Sequence, residues 1–376
     1  MKGNGCLGAT TGGDTLKRSI TLVFSLVFFL TGAIGSVYAQ DSDKEKEWRA
    51  LNAEVQRLYR QGQYERAVLT SKNALQTAEG NFGTDHPLVA TSLNNLAALY
   101  SLQGDYARAE PLYKRSLAIS EKALGANHPE MATPLNNLAL LYETQGHYAL
   151  AEPLYKRALA IWEAALGPDH PNLAAGLNNL AGLYDNQGNY ALAEPLYLRS
   201  LEILEQAFGP DHPNVGTGLN NLALLYFAQG RYEVAEPVCQ RALVIAENAL
   251  GSEHPNVAAS LFNLATLYEA QGKYAQAEPL AVRALVIREK VLGPAHPLIA
   301  TSLDKLATLH EAQGQDEKAE PLYKRALENL EKAHNPNLPL VTSLLRKLAE
   351  LYRRTGRETE AKAMDKRAES IAATPR

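Results

Sequence analysis

The sequence predicts an all-α solenoid of about eight helical hairpins, and three observations carry that expectation. The first is recurrence. Leu93-Asn94-Asn95-Leu96 returns as Leu135-Asn136-Asn137-Leu138, Leu177-Asn178-Asn179-Leu180 and Leu219-Asn220-Asn221-Leu222, each 42 residues after the last. Eroded copies follow at Leu261-Phe262-Asn263-Leu264, Leu303-Asp304-Lys305-Leu306 and Leu345-Arg346-Lys347-Leu348, and a fixed period of this size marks a repeat array. The second is periodicity within a unit: Leu135, Leu138, Ala139 and Tyr142 fall at i, i+3, i+4 and i+7, one face of an α-helix. The third is punctuation. Gln145-Gly146 stops that helix, because glycine takes a left-handed turn cheaply, and Leu166-Gly167 stops the one after it.

Each unit therefore encodes a helix A and a helix B. The second pattern is carried by Tyr148, Ala151, Tyr155, Ala158 and Leu159, and Gly167-Pro168-Asp169-His170-Pro171 leads to the next unit. One hairpin cannot bury both its apolar faces, so stacking completes the core. Small residues such as Ala139, Ala151 and Ala158 mark close backbone approach, and Tyr142, Tyr148 and Tyr155 fill the spaces between.

These residues resemble a known family. Leu135-x-x-Leu138-Ala139-x-x-Tyr142, followed by Gly146-x-Tyr148-x-x-Ala151-x-x-x-Tyr155-x-x-Ala158, is similar to the tetratricopeptide repeat (TPR) signature. The 42-residue period, the AEPLYKRAL segment and the GPDHP loop resemble the kinesin-light-chain type, over about nine-tenths of the chain. The resemblance implies a right-handed superhelix whose A helices line a concave groove. The heptad segment by which kinesin light chains join the motor has no counterpart here, so no transport role is carried over.

In chain order, residues 1–39 read as a cleaved signal peptide. Lys17 and Arg18 form a basic region, Ile20 to Ile34 an apolar one, and Val37-Tyr38-Ala39 a small-residue cleavage site. The apolar run is shorter than the roughly 20 residues of a membrane span, so no membrane span is expected after cleavage; an uncleaved anchor is the alternative. The expected location is exported, periplasmic or secreted. Residues 40–376 form one solenoid with units 41–82, 83–124, 125–166, 167–208, 209–250, 251–292, 293–334 and 335–376. The first unit keeps Leu51, Leu58, Gly62, Tyr64 and Ala67, and its start, Asp41-Ser42-Asp43-Lys44-Glu45, places acid near a helix N-terminus. The last carries Lys362, Asp365, Lys366 and Arg367 on its second helix, as a soluble terminal repeat requires.

Prolines test the helix assignment. Pro111, Pro153, Pro195, Pro237, Pro279 and Pro321 each sit about five residues into helix B, near enough to its start that the expected cost is small. Pro134 lies deeper in its helix A and predicts a late start or a kink.

Composition narrows the function. The whole chain has a net charge of −4, and without residues 1–39 it has 34 basic and 40 acidic side chains, a net charge of −6. The acidic balance and the absence of a basic stripe argue against nucleic acid. Cys239 is the one cysteine beyond the signal, so internal disulfides cannot hold the fold. It occupies the slot of Tyr113, Tyr155 and Tyr197, and reads as a packing residue rather than a nucleophile.

Six His-Pro pairs (His86, His128, His170, His212, His254 and His296, each before proline) invite a metal hypothesis. They come one per repeat, helices pack about 8–10 Å apart, and zinc needs ligands at about 2 Å. Proline opening helix A behind an extended residue explains them, and no metal or cofactor is expected. Ser302-x-x-Lys305 spells a serine–lysine hydrolase pattern, yet Ser302 repeats Ser92 and Ser260, which lack the lysine, and so short a pattern arises by chance. No HExxH, GxSxG or phosphate-binding glycine loop occurs.

The asparagine pairs are the candidate binding residues: Asn94, Asn136, Asn137, Asn178, Asn179, Asn220, Asn221 and Asn263, with Asn95 beside the first. A side-chain amide is both donor and acceptor, so a row of them could clamp an extended peptide whatever its sequence. Equally, the row could tie adjacent A helices together, the second member of each pair being the more structural. Ala175, Gly182, Leu224, Phe227 and Ala228 offer small or apolar surface. Lys305, Arg346, Lys347, Arg353 and Arg354 gather positive charge suited to carboxylates, or form an ordinary capping face.

The expected function is a non-catalytic scaffold that binds a protein or peptide partner in the groove. The alternatives are a structural or self-assembling envelope protein, and a hydrolase using Ser302 and Lys305.

Overall fold

A computed structural model describes residues 43–292, 296–332 and 337–373. The segment read as a signal peptide lies outside the described residues. Residues 43–207 and 208–373 form two compact units.

The first unit holds helices α1 (Asp43–Arg60), α2 (Tyr64–Phe82), α3 (Pro87–Leu102), α4 (Tyr106–Leu124), α5 (Ala132–Thr144), α6 (Tyr148–Leu166), α7 (Pro171–Asn186) and α8 (Tyr190–Phe208, whose last residue belongs to the second). The second holds α9 (Pro213–Ala228), α10 (Tyr232–Leu250), α11 (Pro255–Ala270), α12 (Tyr274–Leu292), α13 (Pro297–Ala312), α14 (Asp316–Glu331), α15 (Leu338–Arg354) and α16 (Glu358–Ala372). Each 42-residue unit of the sequence contributes one hairpin, and within each compact unit the hairpins stack in order, as an α-solenoid does. No strand occurs among the described residues.

The helix starts show why the repeat folds. At α7, Pro171 occupies the first turn, where its missing N–H costs nothing, and it holds His170 extended at φ −77° and ψ 137°. The Nδ1 of His170 accepts the Asn172 N–H at 3.1 Å. At the turn between α5 and α6, Gly146 adopts φ 78°. This lets the Gly146 N–H reach the Glu143 carbonyl and the His147 N–H the Tyr142 carbonyl, both at 2.8 Å, a Schellman-type close.

The helix-B prolines leave their helices unbroken, but their position differs from the expectation. Each is the sixth residue of its helix, past the donors a helix leaves free, so one ladder bond is forfeited. Pro153 and Ala149, the residue whose carbonyl is released, are both exposed, and water can take the freed acceptor. Pro134 does delay its helix: a 3₁₀ turn (Pro129–Met131) precedes α5, which is 13 residues long where α7 has 16.

Packing is tight at the small residues. Met131, Leu135, Trp162, Leu173, Leu177 and Ile203 share one buried cluster. A Cβ added at Gly176 would lie 2.7 Å from Leu159 Cδ2 and 2.8 Å from Trp162 Cζ3. The indole therefore fills space that a side chain takes in other repeats, which carry Ser92, Ser260 or Ser302 in that slot. Tyr148, expected to fill a gap beside Tyr142 and Tyr155, is only half-buried. In the second unit Val257, Leu261, Phe262 and Ile287 form a comparable cluster.

Two polar ladders tie consecutive hairpins, and neither was anticipated from sequence. Tyr142 and Tyr184 donate their hydroxyls to Glu110 and Glu152 of the preceding hairpin at 3.0 and 2.8 Å, as Tyr268 and Tyr352 do to Glu236 and Glu320. Arg115, Arg157 and Arg199 each pair with a glutamate 36 residues earlier (Glu79, Glu121 and Glu163) at 2.7–2.8 Å. Arg283, Arg325 and Arg367 repeat this with Glu247, Glu289 and Glu331. Exposed pairs of this kind contribute about 0–1 kcal/mol each, so their part is alignment more than strength.

Candidate functional site

The asparagines of the A helices meet in rungs, and the register is one step off the repeat. The second asparagine of one pair donates its Nδ2 to the Oδ1 of the first asparagine in the preceding pair, 43 residues back. In residues 43–207 these are Asn95 to Asn52 at 3.0 Å, Asn137 to Asn94 at 3.2 Å and Asn179 to Asn136 at 3.0 Å. In residues 208–373 Asn263 reaches Asn220 at 3.4 Å, and Asn220 donates to the Ser260 hydroxyl at 2.8 Å.

The same two slots keep their pairing where the residues change. Lys305 stands 5.7 Å from the Phe262 ring centroid, a cation over an aromatic face. Lys347 bonds Asp304 at 2.5 Å.

The rungs differ in exposure. Asn52, Asn95, Asn136, Asn179, Asn220 and Asn263 are buried, and Asn94 and Asn137 are half-buried. Asn178 and Asn221 are half-buried, and each has an interaction partner already. One rung consumes a single donor and a single acceptor. At Asn94–Asn137 it leaves the Asn94 NH₂ and the Asn137 carbonyl oxygen unused among the described residues.

The cations expected to form a positive face are mostly neutralised. Lys305 pairs with Glu269, Lys347 with Asp304, and Arg353 with Asp365. Arg354 lies 2.6 Å from Glu311 and 2.9 Å from Asp316. Arg346 is exposed without an ion pair among the described residues. Phe227 is half-buried, its ring tilted against Tyr232 at 5.5 Å between centroids. A cleft of about 470 Å³ is lined by Tyr232, Glu236, Gln271 and Lys273 among others, and Tyr268, Gln271 and Lys273 already engage the Glu236 carboxylate.

The remaining chemical candidates are occupied by structural bonds. The buried Ser302 hydroxyl donates to the Leu298 carbonyl at 3.0 Å and accepts from Arg288 Nη1 at 2.7 Å. Cys239 is buried, and burial pushes its thiol up to about 12. Among the described residues no group of three His, Cys, Asp or Glu could hold a metal ion, and no helix is long and apolar enough to cross a membrane.

Five of the six His-Pro histidines cap A-helix N-termini, and His128 caps the 3₁₀ turn before α5. Nδ1 of His86, His128, His170, His212, His254 and His296 accepts a backbone N–H two residues on, at 3.1–3.3 Å. An accepting Nδ1 is unprotonated, and a positive ring there would oppose the helix dipole. Burial holds His86, His254 and His296 below the usual histidine range. A folded value below the unfolded one means the contribution is present above about pH 6.5 and falls away as pH drops through the folded value. His254→Ala should cost about 0.5–2 kcal/mol at pH 8 and progressively less toward pH 5, while His254→Asn retains the cap at both; parallel urea titrations check this.

Stacked hairpins with recurring A-helix and B-helix slots define a repeat protein of the tetratricopeptide class. The tetratricopeptide repeat model matches residues 57–122, 102–164, 130–203, 173–237, 215–285, 270–332 and 317–374. The chain belongs to that family, and its repeats are kinesin-light-chain-like in their 42-residue period.

A comparison with proteins of curated function finds no match. Among solved structures, the chain is similar to TPR-like repeats from Podosopora anserina described as a kinesin light chain, at 28% identity and a TM-score of 0.47, covering 55% of this chain and 99% of that one. A signal-transduction ATPase with a tetratricopeptide repeat sensor from Pyrococcus horikoshii matches at 17% identity and a TM-score of 0.61, covering 87% and 47%. A Rap protein complexed with Competence and Sporulation Factor matches at 15% and 0.56, covering 87% and 98%. The last two show the fold.

Proposed function

We propose that the protein is an exported, non-catalytic interaction scaffold that holds an extended peptide segment of a partner against the A-helix face of residues 43–207. The observation that carries this is the half-buried Asn94–Asn137 rung, which keeps one amide donor and one carbonyl acceptor unused. An extended backbone offers the complementary acceptor and donor at each residue, so such a rung can hold a strand without reading its side chains. The Rap protein is itself described in complex with a factor, which supports ligand binding on this architecture. Export rests on the pattern of residues 1–39.

The absence of catalysis is part of the same reading: the Ser302 hydroxyl, Lys305 and Cys239 are each held by structural partners or burial. The test compares Asn94→Ala/Asn137→Ala with Asn136→Ala/Asn179→Ala. Partners cross-linked to the exported protein are quantified by mass spectrometry. The half-buried pair should lose about tenfold in capture with unchanged helical circular dichroism, the worth of one or two net hydrogen bonds. Undiminished capture by that variant would sink the reading.

A further inference from the structure

The first unit contains a buried carboxyl that other repeats of this chain treat differently. Glu143 on α5 is 6% exposed. Its Oε2 accepts the Tyr155 hydroxyl from α6 at 2.7 Å, and its Oε1 accepts the Asn186 amide from α7 at 2.9 Å. The neighbouring charged and titratable groups are Tyr155 on α6, Asp185 on α7 and Tyr197 on α8. No lysine, arginine or histidine pairs with Glu143 among the described residues.

The equivalent positions in residues 208–373 are resolved otherwise. Glu311 accepts from Tyr323 at 2.6 Å and is also met by Arg354 at 2.6 Å. Arg354 stands in the slot of Asn186, four 42-residue periods further on. Glu269 is met by Lys305. At Phe227 and Cys239 both members of the Glu–Tyr pair are replaced by groups that carry no charge. In residues 208–373 the half-buried acids of this slot, Glu269 and Glu311, each face a cation, whereas the buried Glu143 faces none among the described residues.

We propose that a proton takes the place of that missing cation, so that Glu143 makes the α5–α6–α7 packing loosen as the pH rises through neutrality. Burial outweighs the two donated hydrogen bonds and pushes the Glu143 carboxyl up to about 7, with Asp185 adding to the rise. The sign follows from linkage. A folded value above the 4.5 of free glutamate gives stability that is whole below about 4.5 and runs out as pH climbs to about 7. The Asn179–Asn136 rung joins the same two helices, α5 and α7, so loosening reaches the asparagine row.

The experiment is hydrogen exchange of α5–α7 amides in the full chain and in Glu143→Gln, compared at pH 6 and pH 8. Taking the ratio of the two proteins at each pH cancels intrinsic exchange and the opposite trend of the histidine caps. The opening constant of the natural chain, relative to Glu143→Gln, should be about tenfold larger at pH 8 than at pH 6. An equal ratio at both overturns the proposal. Independently, carbon-13 titration of the Glu143 carboxyl should show a midpoint near 7, and a midpoint at or below 4.5 overturns it without any variant.

Discussion

Tyr155→Ala lowers the stability of the α5–α6 hairpin by about 3–5 kcal/mol, the range for removing a fully buried aromatic ring. Tyr155 has no exposed surface, and its loss also strips Glu143 of one of two donors. Tyr155→Phe separates the contributions: it keeps the ring and costs about 1–3 kcal/mol for the unmet carboxyl oxygen. Urea unfolding followed by hydrogen exchange reads both, and a cost for Tyr155→Ala below about 1 kcal/mol would show that the hairpin collapses around the gap. The chain itself varies this pair in concert. Twelve residues separate Glu143 from Tyr155, Phe227 from Cys239 and Arg353 from Asp365, giving a hydrogen-bonded pair, an uncharged pair and an ion pair.

Arg288→Leu raises the stability of residues 208–373 by about 1–4 kcal/mol, the gain seen when buried charge gives way to packed hydrocarbon. The guanidinium is buried and faces no carboxylate among the described residues. Its support is the Ser302 hydroxyl, the Leu298 carbonyl at 3.3 Å and the Phe262 ring at 4.6 Å. Both bonding partners lie in the first turns of α13, where the helix dipole disfavours a cation. Burial pushes the group down to about 10, so the fold carries an ionised, poorly solvated guanidinium at every pH below that. Other repeats place Leu204 or Leu330 in this slot. Thermal unfolding checks the sign; an unchanged or lowered midpoint means the Phe262 contact and two hydrogen bonds outweigh desolvation.

Much of the fold was legible in the residues because each unit states its own helices. Apolar spacing, Gly146 and Pro134 act within a few residues of themselves, and the late start of α5 followed from one proline. Cys239 was legible by its slot. The contacts between units were not, since they depend on register. The asparagine slots were visible, but the offset that sets Asn137 on Asn94 is a property of stacked helices. The same offset hid the partners of the C-terminal cations. Lys305, Lys347 and Arg354 read as free charge because Glu269, Asp304 and Glu311 lie 36 to 43 residues earlier. The His-Pro pairs were legible as helix starts, with proline opening the helix behind an extended residue, but the ring itself was not: that Nδ1 accepts a backbone N–H two residues on depends on the side-chain rotamer. A constant separation between recurring polar residues, such as the 36 between Arg157 and Glu121, was the signal available to find these ties.

The hydrogen bonds that tie one hairpin to the next close short loops, such as the 44 positions from Trp48 to Ser92. Lengthening such an array by whole repeats leaves the average loop that must close during folding unchanged, so the entropy of closure does not grow with size. A hairpin can organise as soon as its predecessor is in place, and a chain emerging from one end first can fold in the order it appears.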